Sequence, residues 1–289
     1  MNIQWYPGHM TRTRREIEAQ LKQVDMVAEV VDARIPLSSR NPDIDTLAAG
    51  KPRLIVLNKS DLADPSASRR WRDYFGQAGL CVLAADCKSG GSVCNGFIQL
   101  SRELLADKLR RDSEKGQNKP IRVMVCGIPN VGKSALINCL AGSRKTRVED
   151  RPGVTRGRQW ISVGNFMDIM DTAGVLWPKF DDEKVAMRLA MTGAIADRVL
   201  DTGDLALRLI EMLAEIAPSA ISGRYGVKTE GVEALEIFDS VCKARHMLTG
   251  GGEPDYERCS IMLLDEFRAG RLGRITLELP PLKNAGIKK

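Results

Sequence analysis

Gly127-Ile128-Pro129-Asn130-Val131-Gly132-Lys133-Ser134 satisfies the pattern G-x-x-x-x-G-K-[ST]. A β-branched run, Ile121 to Val125, precedes it, and helix-compatible sequence, Ala135 to Leu140, follows. In that strand–loop–helix setting the glycines let backbone N–H groups curl around phosphate oxygens, and the helix N-terminus adds partial positive charge. The cradle expected here is formed by Asn130, Val131, Gly132, Lys133, Ser134 and Ala135. Lys133 reaches the β- and γ-phosphates of a nucleotide, and the Ser134 hydroxyl is placed to bind Mg²⁺. The pattern alone arises by chance in unrelated chains; the flanking strand and helix set this occurrence apart.

Downstream, Trp160 to Val163 and Phe166 to Met170 flank Gly164-Asn165 and read as a hairpin. The second run leads into Asp171-Thr172-Ala173-Gly174. A D-x-x-G tetrapeptide is common in turns, but at this distance from a phosphate loop it has a role. Asp171 would hold the Mg²⁺ shell and the Gly174 amide would sense the γ-phosphate. Between the two motifs, Arg151-Pro152-Gly153-Val154-Thr155-Arg156 offers Thr155 as a further Mg²⁺ ligand; otherwise it is a surface turn.

Upstream lies the sequence that identifies the base. Asn58-Lys59-Ser60-Asp61 follows the run Arg53 to Leu57. The Asp61 carboxylate can accept two hydrogen bonds from guanine N1–H and the 2-amino group, a donor pair that adenine lacks. A site built on buried polar groups rejects a base that leaves them unpaired. Asn58 ties the loop together, Ser60 belongs to the same loop, and the Lys59 stem lies over the ring. Asp86-Cys87-Lys88, after the next run, fits the supporting loop whose backbone N–H meets guanine O6.

The guanine loops thus precede the phosphate loop, the reverse of the usual GTPase order. A fold requires only that strand ends meet in space, and surface loops allow chain ends to be moved. Alternating strand and helix segments predict an α/β fold: a doubly wound P-loop GTPase domain with circularly permuted motif order, its ligand at the carboxyl ends of the strands. We expect a segment over 1–20, this domain over 21–178 and an all-α helical domain over 179–289. In the last of these, helices are predicted near 183–198, 203–216, 231–247 and 254–269, with a strand only at 275–279. Tyr256, Cys259, Met262, Leu263 and Phe267 recur at helical spacing and read as a bundle core. The charged stretch Asp107 to Lys119 reads as a surface connection.

The chain has 289 residues and a net charge of +6, which favours a polyanionic partner such as RNA. Basic residues gather near both ends, among them Arg12, Arg14, Arg15, Arg268, Arg271 and Arg274; solvated, like-charged ends are the plain alternative. The seven cysteines form no C-x-x-C pair, so a zinc or disulfide framework is not expected and reduced thiols of the cytoplasm are. No apolar run reaches the ~20 residues that span a bilayer.

Trp5-Tyr6-Pro7-Gly8-His9-Met10, Asp32-Ala33-Arg34-Ile35-Pro36 with Arg40-Asn41-Pro42, and the motifs above resemble the ribosome biogenesis GTPase A family, the YlqF-type branch of circularly permuted GTPases. The resemblance is strong over residues 1 to about 180. It implies GTP hydrolysis to GDP and phosphate, coupled to late maturation of the large (50S) ribosomal subunit. It further implies nucleotide-dependent binding to precursor particles and their rRNA, stimulation by the particle and a cytoplasmic protein; we also expect a protein that is monomeric off the ribosome and has no membrane partner. Two departures stand out: DTAG where the family more often has D-T-P-G, and Asp86-Cys87-Lys88 where Asn-Ala-Lys is typical.

Many GTPases place a glutamine after D-x-x-G to orient the attacking water. Here Val175 occupies that position, so slow intrinsic hydrolysis is expected. The resemblance assigns the missing role to His9, together with Lys133 as the catalytic set; a loop histidine or an RNA contact is the competing reading of His9. His246, the other histidine, reads as structural. Asn130 is similar to the asparagine with which some permuted GTPases hold K⁺ beside the phosphates. Two other functions stay open: a nucleotide-gated RNA-binding placeholder with negligible hydrolysis, and a tRNA-directed P-loop GTPase.

Overall fold

The computed structural model describes residues 17–142, 160–172, 182–197 and 201–281, and the backbone of 146–149. Seven strands form one sheet in the order β3-β2-β1-β4-β7-β6-β5: β1 Met26–Asp32, β2 Arg53–Asn58, β3 Cys81–Ala84, β4 Ile121–Cys126, β5 Thr146–Glu149, β6 Trp160–Val163 and β7 Met167–Asp171. Strands β3, β2, β1, β4 and β7 are parallel, and the β6–β7 hairpin turns the edge antiparallel, with Trp160 opposite Met170. Every residue of β1 is buried, as expected of a central strand covered on both faces.

The chain starts in the middle of the sheet, builds outward through β2 and β3, and then crosses β1 to place β4 on its other side. Strand order therefore reverses between β1 and β4, the position at which doubly wound sheets bind ligands. The loops after all five parallel strands leave from this one edge. That geometry brings residues 58 and 86 to the same place as residues 127 to 134.

Among the described residues the sheet is accompanied by the helices α1 Ile44–Leu47, α2 Pro65–Gln77, α3 Ser92–Leu104, α4 Ala106–Glu114, α5 Lys133–Gly142, α6 Glu183–Met191, α7 Thr202–Ile216, α8 Pro218–Tyr225, α9 Ala234–Ala244 and α10 Tyr256–Arg268. Asp64, Asp201 and Asp255 cap α2, α7 and α10, accepting from Ala67, Asp204 and Arg258 N–H groups. Helix α7 lies at the centre of the helical part and packs against α6, α8, α9 and α10. Leu205, Leu209, Ile210 and Leu213 supply its apolar face. Of the expected stripe in α10, Cys259, Leu263 and Phe267 are buried, whereas Tyr256 lies outside against the Phe238 ring, centroids 5.2 Å apart. Sheet residues such as Val30 and Val125 share one apolar cluster with these helices.

Two segments differ from the sequence expectation. Asp107 to Lys119 is helical up to Glu114, because Lys108 pairs with Asp112 one turn on (2.7 Å) and Arg110 with Asp107 (3.1 Å). Residues 275–279 form no strand. Their N–H groups at Ile275 and Leu277 donate to the loop carbonyls of Leu62 and Arg34 (2.9 and 2.8 Å). The Trp71 indole donates to the Glu278 carbonyl (2.9 Å). This tail is a strap from the last helix back onto the sheet side.

Candidate functional site

The phosphate loop needs two of its glycines for distinct reasons. Gly127 has φ +149°, and a Cβ there would collide with the Val30 carbonyl. Gly132 has φ +98°, and a Cβ would collide with the Asn58 amide nitrogen. Asn130, at φ 62°, shapes the same turn in a left-handed conformation that asparagine tolerates. Lys133, opening α5, donates from Nζ to the Ile128 carbonyl of the loop (2.9 Å).

Asp171 ends β7, the neighbour of β4 in the sheet. Burial raises its carboxyl above the usual range, and the Lys133 charge opposes that shift. Burial conversely lowers Lys133, and Asp171 opposes that in turn. Thr172 fixes the strand end with two bonds to the Val125 carbonyl, from N (3.3 Å) and Oγ1 (2.8 Å). The donor set here, the Ser134 hydroxyl and the Asp171 carboxylate, is hard oxygen and suits Mg²⁺ over a softer metal. Among the described residues no group of three His, Cys, Asp or Glu side chains makes a self-sufficient metal site. A nucleotide-bound Mg²⁺ takes one or two protein ligands and completes its shell with phosphate oxygens and water.

Asn58 joins the two halves of the site. Its buried amide donates from Nδ2 to the Val131 carbonyl in the phosphate loop (2.7 Å). Its Oδ1 accepts the Cys87 N–H from the loop after β3 (3.1 Å). Ser60 N–H donates to the Ala85 carbonyl (3.0 Å), so the two guanine loops also bond directly. Asp61 is exposed and has no hydrogen bond or ion pair among the described residues, which leaves its carboxylate free for a base. Asp86, whose role the sequence left open, accepts the Lys88 N–H (2.9 Å) and closes its own turn. With the Cys87 and Lys88 amides thus engaged, a guanine O6 contact from this loop requires one donor to be shared. Burial pushes the Cys87 thiol up to about 12, so it stays protonated at neutral pH.

The sequence reading quoted Asp32 and Arg34 but gave them no role. Asp32, at the end of β1, accepts Lys59 Nζ (2.9 Å) and Arg34 Nε and Nη2 (2.9 and 2.7 Å). Burial works to raise the Asp32 carboxyl, but the Arg34 and Lys59 charges prevail and hold it at about 2. Lys59 itself sits at φ 60°, so this ion pair fixes the side chain expected to cover the base. The signal available in sequence was an acidic residue ending the strand next to the N-K-x-D strand.

Arg268 and Arg274, read as part of a basic end, are built into the fold instead. Arg268 is clamped by Asp197 and by the Ala190 and Met191 carbonyls, and its own carbonyl meets Arg34 Nη1 (3.4 Å). Arg274 donates to the Ser60 and Ala63 carbonyls (2.7 and 3.0 Å), directly behind the guanine loop. On the phosphate side, Asn130 Nδ2 donates to the Gly193 carbonyl (2.7 Å), just beyond α6. The helical part thus touches both ends of the site. His246 lies in the turn after α9, at φ 52°, far along the chain from these loops. His9, Thr155 and Gly174 fall outside the described residues. No described helix is long and apolar enough to cross a membrane.

Comparison with known proteins agrees with this geometry. A family described as 50S ribosome-binding GTPase matches residues 122–224. The ribosome biogenesis GTPase A of Priestia megaterium is 44% identical, over 97% of this chain and 98% of that one. A GDP-bound structure of YlqF superimposes with a TM-score of 0.66 at 27% identity, covering 92% of this chain and 99% of its own. A GNP-bound YlqF from T. maritima gives 0.65 at 27%, covering 93% and 98%.

Proposed function

This chain belongs to the ribosome biogenesis GTPase A family, and on that premise we propose that it hydrolyses GTP as an assembly factor of the large ribosomal subunit. The observation that carries the reading is Asn58, whose buried amide bonds its own guanine-side segment to the phosphate loop and to the loop after β3. The fold relatives carry GDP and GNP, and the same loops here are the natural seat for a guanine nucleotide.

In this reading Asp61 accepts the guanine N1–H and 2-amino group, and Lys59, held by Asp32, covers the ring. Lys133 leaves Ile128 to meet the β- and γ-phosphates. Ser134 and Asp171 hold Mg²⁺, with Thr155 as a third oxygen in the GTP state; the ion supplies neutralising charge to the phosphates. Gly174 senses the γ-phosphate, and His9 orients the water that Val175 cannot. Asn130 keeps its amide oxygen for K⁺, so turnover in KCl should exceed that in NaCl at equal ionic strength. Equal turnover in the two salts removes the K⁺ assignment.

The precursor particle and its rRNA are the partners, bound according to nucleotide state. Cosedimentation with large-subunit precursors in GTP-analogue, GDP and nucleotide-free states tests this directly. Binding strongest with the GTP analogue and falling steeply with salt is expected. Binding independent of nucleotide would contradict it. His9→Ala should leave GTP affinity intact and abolish particle-stimulated turnover; equal stimulated rates would end the role given to His9.

A further inference from the structure

The strap formed by residues 274–279 closes a cavity of about 440 Å³ between α2, the end of α7 and itself. It lies outside the guanine and phosphate loops, and the mechanism above makes no use of it. Three arginines line it: Arg70 on α2, Arg188 on α6 and Arg274 on the strap. Two carboxylates, Asp64 and Glu278, line it as well, leaving one net positive charge. Both carboxylates are already engaged. Asp64 caps α2, and Glu278 accepts from Ser38 Oγ (2.5 Å), from the Leu37 and Ser38 N–H groups and from Arg188 Nη1.

The arginines retain donors. Arg70 is exposed and makes no hydrogen bond or ion pair among the described residues. Arg188 Nε is buried without a partner among them, an unusual condition for a guanidinium nitrogen. Arg274 uses Nε and Nη2 on the Ala63 and Ser60 carbonyls and keeps Nη1. Apolar side chains share the lining, with Ile216 and Leu279 about half exposed at 46% and 54%. Guanidinium groups and apolar side chains lining one cavity suit a phosphate joined to a flat ring with apolar faces, and the volume falls in the range of small-ligand sites.

We propose that this cavity binds one splayed-out nucleotide of single-stranded RNA, its phosphate on Arg70 and Arg274 and its base against Ile216 and Leu279. The inference rests on the proposed ribosomal RNA partner and locates a point of contact for it. RNA is recognised chiefly through unstacked bases and backbone phosphates, and the net charge of +6 favours a polyanion over a free metabolite. The consequence for the GTP site runs through Arg274. A phosphate on its Nη1 leaves the bonds to Ser60 and Ala63 in place and immobilises the guanidinium that makes them. Seating RNA therefore steadies the guanine loop, and by linkage guanine nucleotide favours RNA binding to the same degree.

The test uses a fluorescein-labelled mixed-sequence 12-nucleotide oligoribonucleotide and the GDP-loaded full chain, followed by anisotropy. Arg70→Gln should weaken binding at least fivefold while leaving GDP affinity unchanged. Arg110→Gln, on a highly exposed arginine of α4, should change it less than twofold. The oligonucleotide should raise GDP affinity in the wild type and fail to do so in Arg274→Gln. Equal binding by wild type and Arg70→Gln overturns the proposal, as does equal loss in Arg70→Gln and Arg110→Gln. Displacement of the oligonucleotide by AMP at comparable concentration overturns RNA as the ligand in favour of a free nucleotide. Precursor particles distinguish the assembly function from the cavity's role. Wild-type protein that fails to bind them contradicts the assembly function, whereas undiminished particle binding by Arg70→Gln contradicts only this cavity.

Discussion

Asn58 ties the phosphate loop to the loop after β3 through one buried amide. Its replacement by alanine leaves the Val131 carbonyl and the Cys87 N–H without partners in a buried setting. Each such group costs about 1–3 kcal/mol. Asn58→Ala should therefore lower GDP affinity by tenfold or more and reduce the melting temperature, measurable by calorimetry. Asp32 offers a pH test. Its carboxyl is held at about 2 against an ordinary value of 3.8, so its contribution is present above pH ~4 and lost as pH falls through about 2. The stability gap between wild type and Asp32→Asn should stay constant from neutral pH to about 4 and close towards 2. A gap that closed near neutrality would show that another group titrates. That Asp61 and Lys133 follow, and Asp171 ends, strands at one sheet edge was legible in sequence, because motif spacing encodes it. The partners of Asp32 and Asp86 were not, since they depend on side-chain directions within loops.

Among the elements, strands were legible wherever β-branched runs ended in polar loops, as at β1, β2 and β4. The helix α4 was missed because none of its residues is fully buried and its charges suggested a solvated link. Local ion pairs, not an apolar face, sustain it. The strap at 275–279 misled in the opposite way. Its alternation is that of a strand, but its backbone partners are loop carbonyls at Leu62 and Arg34, so no ladder propagates. Glu278 is the strap's main fastening, and its carboxylate is almost wholly buried. Glu278→Ala should destabilise the protein by about 3 kcal/mol, because it leaves two N–H groups and Arg188 unpaired. A melting temperature unchanged from wild type would show that the apolar side chains Ile275 and Leu277 suffice to hold the strap.

At the scale of the molecule, permutation changes how the site can communicate. The chain leaves β7, the strand of Asp171, towards α6, and the turn after α6 meets the phosphate loop through Gly193 and Asn130. The last helix and the strap meet the base end through Arg34 and Ser60. The helical part thus contacts the phosphate loop and the loop after β2 at separate points, a relation that no single motif discloses. Motif order alone predicted the sheet edge on which the site lies; only packing reveals that the C-terminal segment closes behind it. On the proposed function, this permuted site hydrolyses GTP in response to the ribosomal particle. Single-turnover GTP hydrolysis, with and without saturating large-subunit precursors, measures that most directly. Hydrolysis by the free protein should be slow, as befits Val175 in place of glutamine, and the particle should accelerate it tenfold or more. Equal rates in the two conditions would contradict it and leave a nucleotide-gated RNA-binding protein in place of an assembly GTPase.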